Sequence, residues 1–177
     1  MRTRRARVQD AYAIYRLVND HSRDGTLLRR SYAEICNNIR TFTIVESAAG
    51  EFVGCAALHV YGPHLAELRS IVVRSAIRGE GAGGLLVKSL LAEAKENGIR
   101  CVCLFTRIPA FFEHFRFRIT KHDSLRDKVV KDCQHCTRRH ACDETPMAVG
   151  ELPSQQDMSG QMPRMGSGRL VQLLSTR

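Results

Sequence analysis

Apolar residues in this chain alternate between strand-like runs and helix-like spacing, which predicts an α/β fold. Short runs that suit strands cover residues 3–8, 42–46, 52–60, 66–73, 99–106 and 117–120. A first helix is predicted after Asp10, a residue type that often caps helix N-termini, and a second from the Ser31–Glu34 capping box. A third predicted helix ends at Asn97, and a fourth begins at Pro109. The predicted order is β-α-α-β-β-β-α-β-α-β, in one domain over residues 1–150.

The composition changes after Gly150. Ser, Gln, Met, Gly and Pro dominate as far as Arg169, without helical or strand periodicity. A segment with so few apolar residues cannot bury enough surface to fold alone, so we expect residues 151–177 to form a disordered tail. The apolar stretch Leu170–Leu174 could dock on the domain, but the sequence does not identify where.

Composition and charge narrow the classes of protein. Hydrophobic residues make up 44% of the 177 residues, which is ordinary for a globular domain. No apolar run approaches the roughly 20 residues of a membrane span, and no export signal is evident. Seven cysteines without such a signal favour a reducing cytoplasm. The net charge of +9 comes from residues spread along the chain, which favours an anionic cofactor and substrate over nucleic acid.

A glycine-rich segment, residues 78–84, is the strongest local signal. It reads Arg-Gly-Glu-Gly-Ala-Gly-Gly, follows the predicted strand 66–73 and precedes a predicted helix. Glycines let main-chain N–H groups approach a ligand closely, and a helix N-terminus adds unpaired donors and a partial positive charge. The segment therefore predicts a cradle for a phosphate group. It carries neither the Gly-Lys-Ser/Thr ending of a P-loop nor Gly-x-Gly-x-x-Gly spacing.

Arg78, Gly81 and Gly83 fill the Arg/Gln-x-x-Gly-x-Gly/Ala pattern of the GCN5-related N-acetyltransferases, the GNAT family, and the order of elements is similar to that fold. Further segments over residues 3–149 resemble the acetyltransferase domain of the N-acetylglutamate synthases, in particular their short single-domain form. These segments are 25–31, 42–45, 55–60, 66–70, 104–107, 111–113 and 131–144. The resemblance implies a mixed, mostly antiparallel sheet flanked by helices.

The same resemblance implies an activity. Acetyl-CoA would be the donor, and the acetyl group would pass directly to the α-amine of L-glutamate in a ternary complex, as in arginine biosynthesis. Glutamine or another small amine remains an alternative acceptor. A further alternative is a metal- or redox-responsive module that only binds acetyl-CoA. A homodimer is left open.

The resemblance also implies site residues. The donor would contact main-chain groups of the strand and the loop, namely Ile71, Val72, Val73, Arg78, Gly79, Glu80, Gly81, Ala82, Gly83 and Gly84. Arg29, Arg30, His64 and Arg107 would hold the carboxylates of the acceptor, since arginine pairs well with carboxylates. Glu67 is the expected general base. His59 could also shuttle protons, but it is interpreted as a packed, hydrogen-bonded histidine of a buried strand.

The chain departs from the family pattern at two positions. Phe112 stands where many GNAT enzymes carry a tyrosine that protonates the leaving thiolate, so acid catalysis by a phenol is not expected there. Arg116 replaces a glycine before Phe117, and a positive φ would be strained for arginine.

Three cysteines lie close together near the end of the predicted domain. Cys133, Cys136 and Cys142, with His140 or His135 as a fourth ligand, would be an acceptable structural zinc set. Reduced thiols packed in a C-terminal flap and a redox switch are the other interpretations. Arg138 and Arg139 in the same segment could reach the carboxylates of the substrate.

Overall fold

A twisted sheet of seven strands organises the protein in a computed structural model that describes residues 1–23, 25, 27–154 and 157. The strands are β1 (Arg2–Arg5), β2 (Phe42–Glu46), β3 (Phe52–Gly62), β4 (Leu65–Val73), β5 (Cys101–Thr106), β6 (Arg118–Ile119) and β7 (Thr145–Gly150). The helices are α1 (Ala11–Arg23), α2 (Tyr32–Asn37), α3 (Ala82–Glu96), α4 (Pro109–Glu113) and α5 (Arg126–Lys131). The predicted disordered tail lies outside the described residues, apart from 151–154 and 157.

The sheet is mixed and mostly antiparallel, as the family resemblance implied. Its strand order is β1-β2-β3-β4-β5-β7-β6, and β4–β5 is the parallel pair. The sequence pattern missed β7, which inserts between β5 and β6 and pairs with β5 from Cys101–Gly150 to Thr106–Thr145. It also missed α5. These two elements flank the cysteine-rich segment 133–142, a part of the chain for which the sequence pattern predicted neither helix nor strand.

Helices cover both faces of the sheet and bury two apolar clusters. On one face α3 contributes Leu86, Val87 and Leu90, which pack with β3, β4 and β5. On the other face α1 contributes Ile14 and Val18, which pack with α2, β2 and β3. The apolar spacing of these helices therefore faces the sheet, as amphipathic helices require.

Several local signals are confirmed. Ser31 caps α2, and its hydroxyl accepts a hydrogen bond from the Glu34 N–H at 3.1 Å. Gly98 follows α3 with φ of +67°. Arg116 adopts φ of +67°, the strained conformation expected where the family has glycine. Among the residues the structure describes, no helix is both long and apolar enough to cross a membrane.

Candidate active site

The glycine-rich loop presents a row of main-chain donors at the start of α3. Gly79 and Gly81 have φ values of +90° and +86°, and a Cβ at either position would meet no neighbouring atom within 4 Å. These glycines are needed for backbone conformation, not for space. In the described chain, no group bonds the main-chain N–H of Gly79 or of residues 81–84, because helix N-termini lack intrahelical acceptors. The loop can therefore bind an anion through its backbone.

Strands β4 and β5 part beside this loop. Their parallel pairing is confined to Ala66–Val102 and Glu67–Cys103, although β4 continues to Val73. At the same place β4 bulges, since Ser70 and Ile71 lie between the register pairs Arg69–Ala57 and Val72–Cys55. Ser70 adopts φ of +52°. The parting leaves main-chain groups of residues 71–73 available along one edge, where an extended ligand arm could lie.

A cleft of about 110 Å³ opens next to the bulge. One wall comes from α2 and the turn before it and includes Arg30 and Glu34. The other wall comes from the sheet and includes His59, Arg69 and Ser70. Ser70 belongs to β4, and the glycine loop follows β4 in the chain. The same strand therefore borders the cleft and leads to the loop. Two arginines make this cleft suitable for a carboxylate.

Arg30 is fixed in the cleft by its backbone and its side chain. The Asn19 side chain of α1 donates to the Arg30 carbonyl at 2.9 Å and accepts from the Arg30 N–H at 3.2 Å. The Arg30 guanidinium forms an ion pair with Glu34 one helical turn later. Glu34 therefore already supplies one carboxylate to this guanidinium. Sequence reasoning missed Asn19, because only the packing of α1 against the next turn reveals its role.

Glu67 lies in a buried ionic network rather than at an open surface. It is 4% exposed. Its Oε2 accepts from Arg69 Nε at 2.5 Å and lies 2.8 Å from the Tyr61 hydroxyl, and its Oε1 pairs with Lys128 Nζ at 2.8 Å. Both carboxylate oxygens are thus engaged. Asp132 completes the network by pairing with Arg69 and contacting the Tyr61 hydroxyl.

The network shifts the proton affinities of its members. Burial and the charge of Glu67 raise the pKa of Tyr61 far above its usual value, so the phenol keeps its proton. Burial would raise the pKa of Asp132, but the hydrogen bond from Tyr61 and the charges of Arg69 and Lys128 lower it overall. The network therefore contains two carboxylates and two cations, and its formal charges balance.

His59 is only partly buried, on the cleft side of β3, which differs from the packed histidine expected from the sequence. Its ring meets the Tyr61 ring edge-on, with centroids 4.8 Å apart. Burial and the nearby charge of Arg69 lower the pKa of His59 below its usual value. The imidazole is therefore neutral at pH 7 and can accept a proton.

The other expected acceptor residues do not line this cleft. Arg29 is exposed and pairs with no residue in the described part of the chain. His64 turns to α5, where its Nε2 lies 2.8 Å from Asp127 Oδ2. Arg107 forms a bidentate ion pair with Asp143, at 2.8 and 2.7 Å. These last two partners are 63 and 36 residues away, so local sequence patterns do not reveal them.

Arg107 and Arg138 instead hold the turn that carries the cleft arginine. Each guanidinium donates to the Gly25 carbonyl at 2.7 Å. Arg138 also donates to the Leu27 carbonyl at 3.5 Å. The segment around residue 138 therefore binds the backbone at Gly25 and Leu27, a few residues before Arg30 in the chain.

The proposed zinc ligands do not converge, which corrects the sequence interpretation. Among the described residues, no group of three or more His, Cys, Asp or Glu side chains is arranged to hold a metal ion. Cys133 and Cys136 lie around one short turn, whereas His140 belongs to a separate turn and accepts a hydrogen bond from Arg139 at 2.7 Å. Cys142 is exposed. Burial raises the pKa of Cys133 above its usual value.

Phe112 is buried, at 5% exposure, and its ring packs against Phe117. It has no proton to donate, so the position of the family tyrosine supplies no acid here.

Arg78 donates to His21 Nε2 at 2.9 Å, while His21 Nδ1 lies 3.1 Å from the Leu17 carbonyl. These contacts join the glycine loop to α1.

Comparison with known proteins agrees with this geometry. Residues 8–115 match the model of the acetyltransferase (GNAT) family. An uncharacterised N-acetyltransferase of Chlorobaculum tepidum is 35% identical over 144 residues, which are 81% of this chain and 92% of that protein. An amino-acid acetyltransferase of Mycobacterium tuberculosis is 33% identical over 64% of this chain and 66% of its own length. The matched region spans 29% of the longer amino-acid acetyltransferase of Pasteurella multocida.

Solved structures share the fold. The M. tuberculosis protein Rv2747, crystallised with CoA, has a TM-score of 0.73 and 25% identity, covering 85% of this chain and 99% of its own. N-acetylglutamate synthase of Neisseria gonorrhoeae, crystallised with coenzyme A and N-acetyl-glutamate, has a TM-score of 0.76 and 23% identity, covering 86% of this chain and 35% of its own. The family match spans more than half of the residues, and the chain therefore belongs to the GNAT family of acetyltransferases.

Proposed function

We propose that this acetyltransferase moves the acetyl group of acetyl-CoA to the α-amine of L-glutamate. The observation that carries the proposal is the cleft beside the β4 bulge, where Arg30 and Arg69 can receive carboxylates next to the strand that leads to the glycine loop. Two of the relatives support an amino-acid acceptor by their names, since they are amino-acid acetyltransferases.

The backbone of the loop would hold the donor. The N–H groups of Gly79 and residues 81–84, which bond to no other residue that the structure describes, suit the diphosphate of coenzyme A. The main chain of residues 71–73, at the parting of β4 and β5, would bind the pantetheine arm. This arrangement directs the thioester toward the bulge, where the cleft begins.

Transfer requires a neutral amine. Glu67 is the base expected from the sequence, but Arg69, Lys128 and Tyr61 already surround its carboxylate. We propose that Glu67 holds Arg69 in place and that the neutral imidazole of His59 accepts the ammonium proton, directly or through a water. Since Phe112 has no acidic proton, the leaving thiolate would take its proton from solvent or from another residue.

An acceptor panel tests the proposal directly. Thiol release from acetyl-CoA is measured colorimetrically with L-glutamate, L-glutamine, other amino acids and simple amines. We expect the highest kcat/KM with L-glutamate. A clear preference for glutamine would replace the acceptor but keep the enzyme, whereas coenzyme A binding without turnover of any amine would contradict the proposal.

Arg30→Gln provides a second test, with Arg23→Gln as the matched control. Arg23 lies on α1, and its side chain is 85% exposed. Loss of a charge-assisted hydrogen bond to the acceptor should raise the KM for glutamate roughly 10-fold in the Arg30 variant. The control should leave both KM values unchanged. An equal rise in the KM for acetyl-CoA would contradict a role for Arg30 in acceptor binding.

A further inference from the structure

Arg69 is placed by three partners that leave one of its nitrogens available. Nε donates to Glu67, and Nη2 donates to the Tyr61 hydroxyl at 2.6 Å and to Asp132. The Arg69 side chain is only 13% exposed, so these contacts hold the guanidinium in one orientation. A preorganised guanidinium loses little freedom when it binds an anion.

The remaining nitrogen, Nη1, bonds to none of the residues that the structure describes. Every buried side-chain nitrogen or oxygen in the described chain has a hydrogen-bond partner. Since Nη1 has none, it is not buried. Arg69 lines the cleft. Nη1 is therefore the accessible end of a fixed guanidinium, and it offers two N–H donors to a ligand in the cleft.

The position of Arg69 selects one end of an amino acid. Arg69 directly precedes Ser70 at the bulge, beside the place where the strands part. In direct transfer the amine must come within about 3–3.5 Å of the thioester carbon. The α-carboxylate is bonded to the carbon that carries the amine, so it cannot lie far from this point. Arg30, on the opposite wall, can reach the distal carboxylate.

Charge leads to the same end of the substrate. Glu67 and Asp132 balance Arg69 and Lys128 within the network. The α-carbon end of an amino acid brings an ammonium and a carboxylate together, so it adds no net charge to this balanced network. The network is less suited to an isolated carboxylate.

We propose that Arg69 binds the α-carboxylate of the acceptor, and that Tyr61 and Asp132 are positioning residues that orient its guanidinium. This inference rests on the proposed function, since it identifies the group that restricts the enzyme to α-amino acids. Arg69 thereby determines the class of the acceptor, and Arg30 on the opposite wall discriminates among side chains.

The two monoamides of glutamate test the assignment. Glutamine keeps the α-carboxylate, whereas isoglutamine, the 1-amide, lacks it. We expect Arg69→Lys to lower kcat/KM by the same factor, roughly 10- to 100-fold, for glutamate and for glutamine. The rate with isoglutamine should change much less. The KM for acetyl-CoA should stay the same, which damage to the donor site would not allow.

Asp132→Asn and Tyr61→Phe test the positioning role without removing Arg69. Each should raise the KM for glutamate several-fold and leave kcat nearly unchanged. Asp127→Asn is the matched control on α5, because Asp127 pairs with His64 and Lys131 instead of Arg69. A control variant with the same rise would contradict the positioning role.

The outcomes separate this inference from the proposed function. If no amino acid is acetylated by the unmodified protein, the proposed function fails first. If glutamate is acetylated but Arg69→Lys affects glutamate and not glutamine, Arg69 binds the distal carboxylate and the inference is wrong. An equal loss for all three acceptors, isoglutamine included, would also overturn it.

Discussion

A negative charge at Gly83 should weaken the binding of acetyl-CoA by repelling its diphosphate. Gly83 lies in the first turn of α3, within the proposed phosphate cradle. A Cβ there would lie 3.4 Å from Phe111 Cζ, an ordinary contact, so Gly83→Ala should fold normally. The Gly83→Glu and Gly83→Gln pair then isolates the charge, since the two side chains have nearly the same size.

The magnitude follows from Coulomb's law. One negative charge about 6 Å from the roughly two charges of a diphosphate costs ~1.4 kcal/mol in bulk water and ~5.5 kcal/mol at an effective dielectric constant of about 20. The lower value alone weakens binding about 10-fold. We therefore expect the Kd of acetyl-CoA to be at least about 10-fold higher for Gly83→Glu than for Gly83→Gln.

Isothermal titration calorimetry with acetyl-CoA measures this difference. The gap between the Glu and Gln variants should shrink as the ionic strength rises, because salt screens charges at an exposed loop. Equal affinities for the two variants at low salt would refute the placement of the diphosphate at the start of α3. Equal losses in the Ala, Gln and Glu variants would attribute the effect to the Cβ contact instead.

Three further predictions concern stability. Lys128→Met leaves buried Glu67 without one of its cations, so it should lower the free energy of unfolding in urea by about 3 kcal/mol. Lys131→Met should lower it by less than about 1 kcal/mol, because the Lys131 side chain is 54% exposed. Equal losses in the two variants would contradict the burial argument. The folded state lowers the pKa of Asp132, so its stabilising contribution is complete above the ordinary value of 3.8 and is lost as pH falls from there through the lowered pKa. Asp132→Asn should therefore flatten the stability profile below about pH 4. Arg116→Gly should raise the free energy of unfolding by about 1 kcal/mol by relieving a positive φ, and a lower value would contradict strain at this turn.

The sequence by itself determined the local features of this protein. Apolar periodicity located six of the strands and the helices around residues 11–23, 32–37, 82–96 and 109–113, and the glycine pattern located the loop before α3. These features depend on neighbours a few residues apart, so they can be read from local spacing. The strain at Arg116 is of the same kind, since φ is a property of one residue.

Only the tertiary structure decided which distant side chains meet. The insertion of β7 between β5 and β6, the ionic network around Glu67 and the turn of His64 toward Asp127 join residues far apart in the chain. The cysteines show the reverse case, because residues close in sequence do not converge on a metal site in the described part of the chain. Burial, ion pairing and ligand geometry depend on how the sheet and helices pack. The spacing of apolar residues along the chain does not reveal that packing.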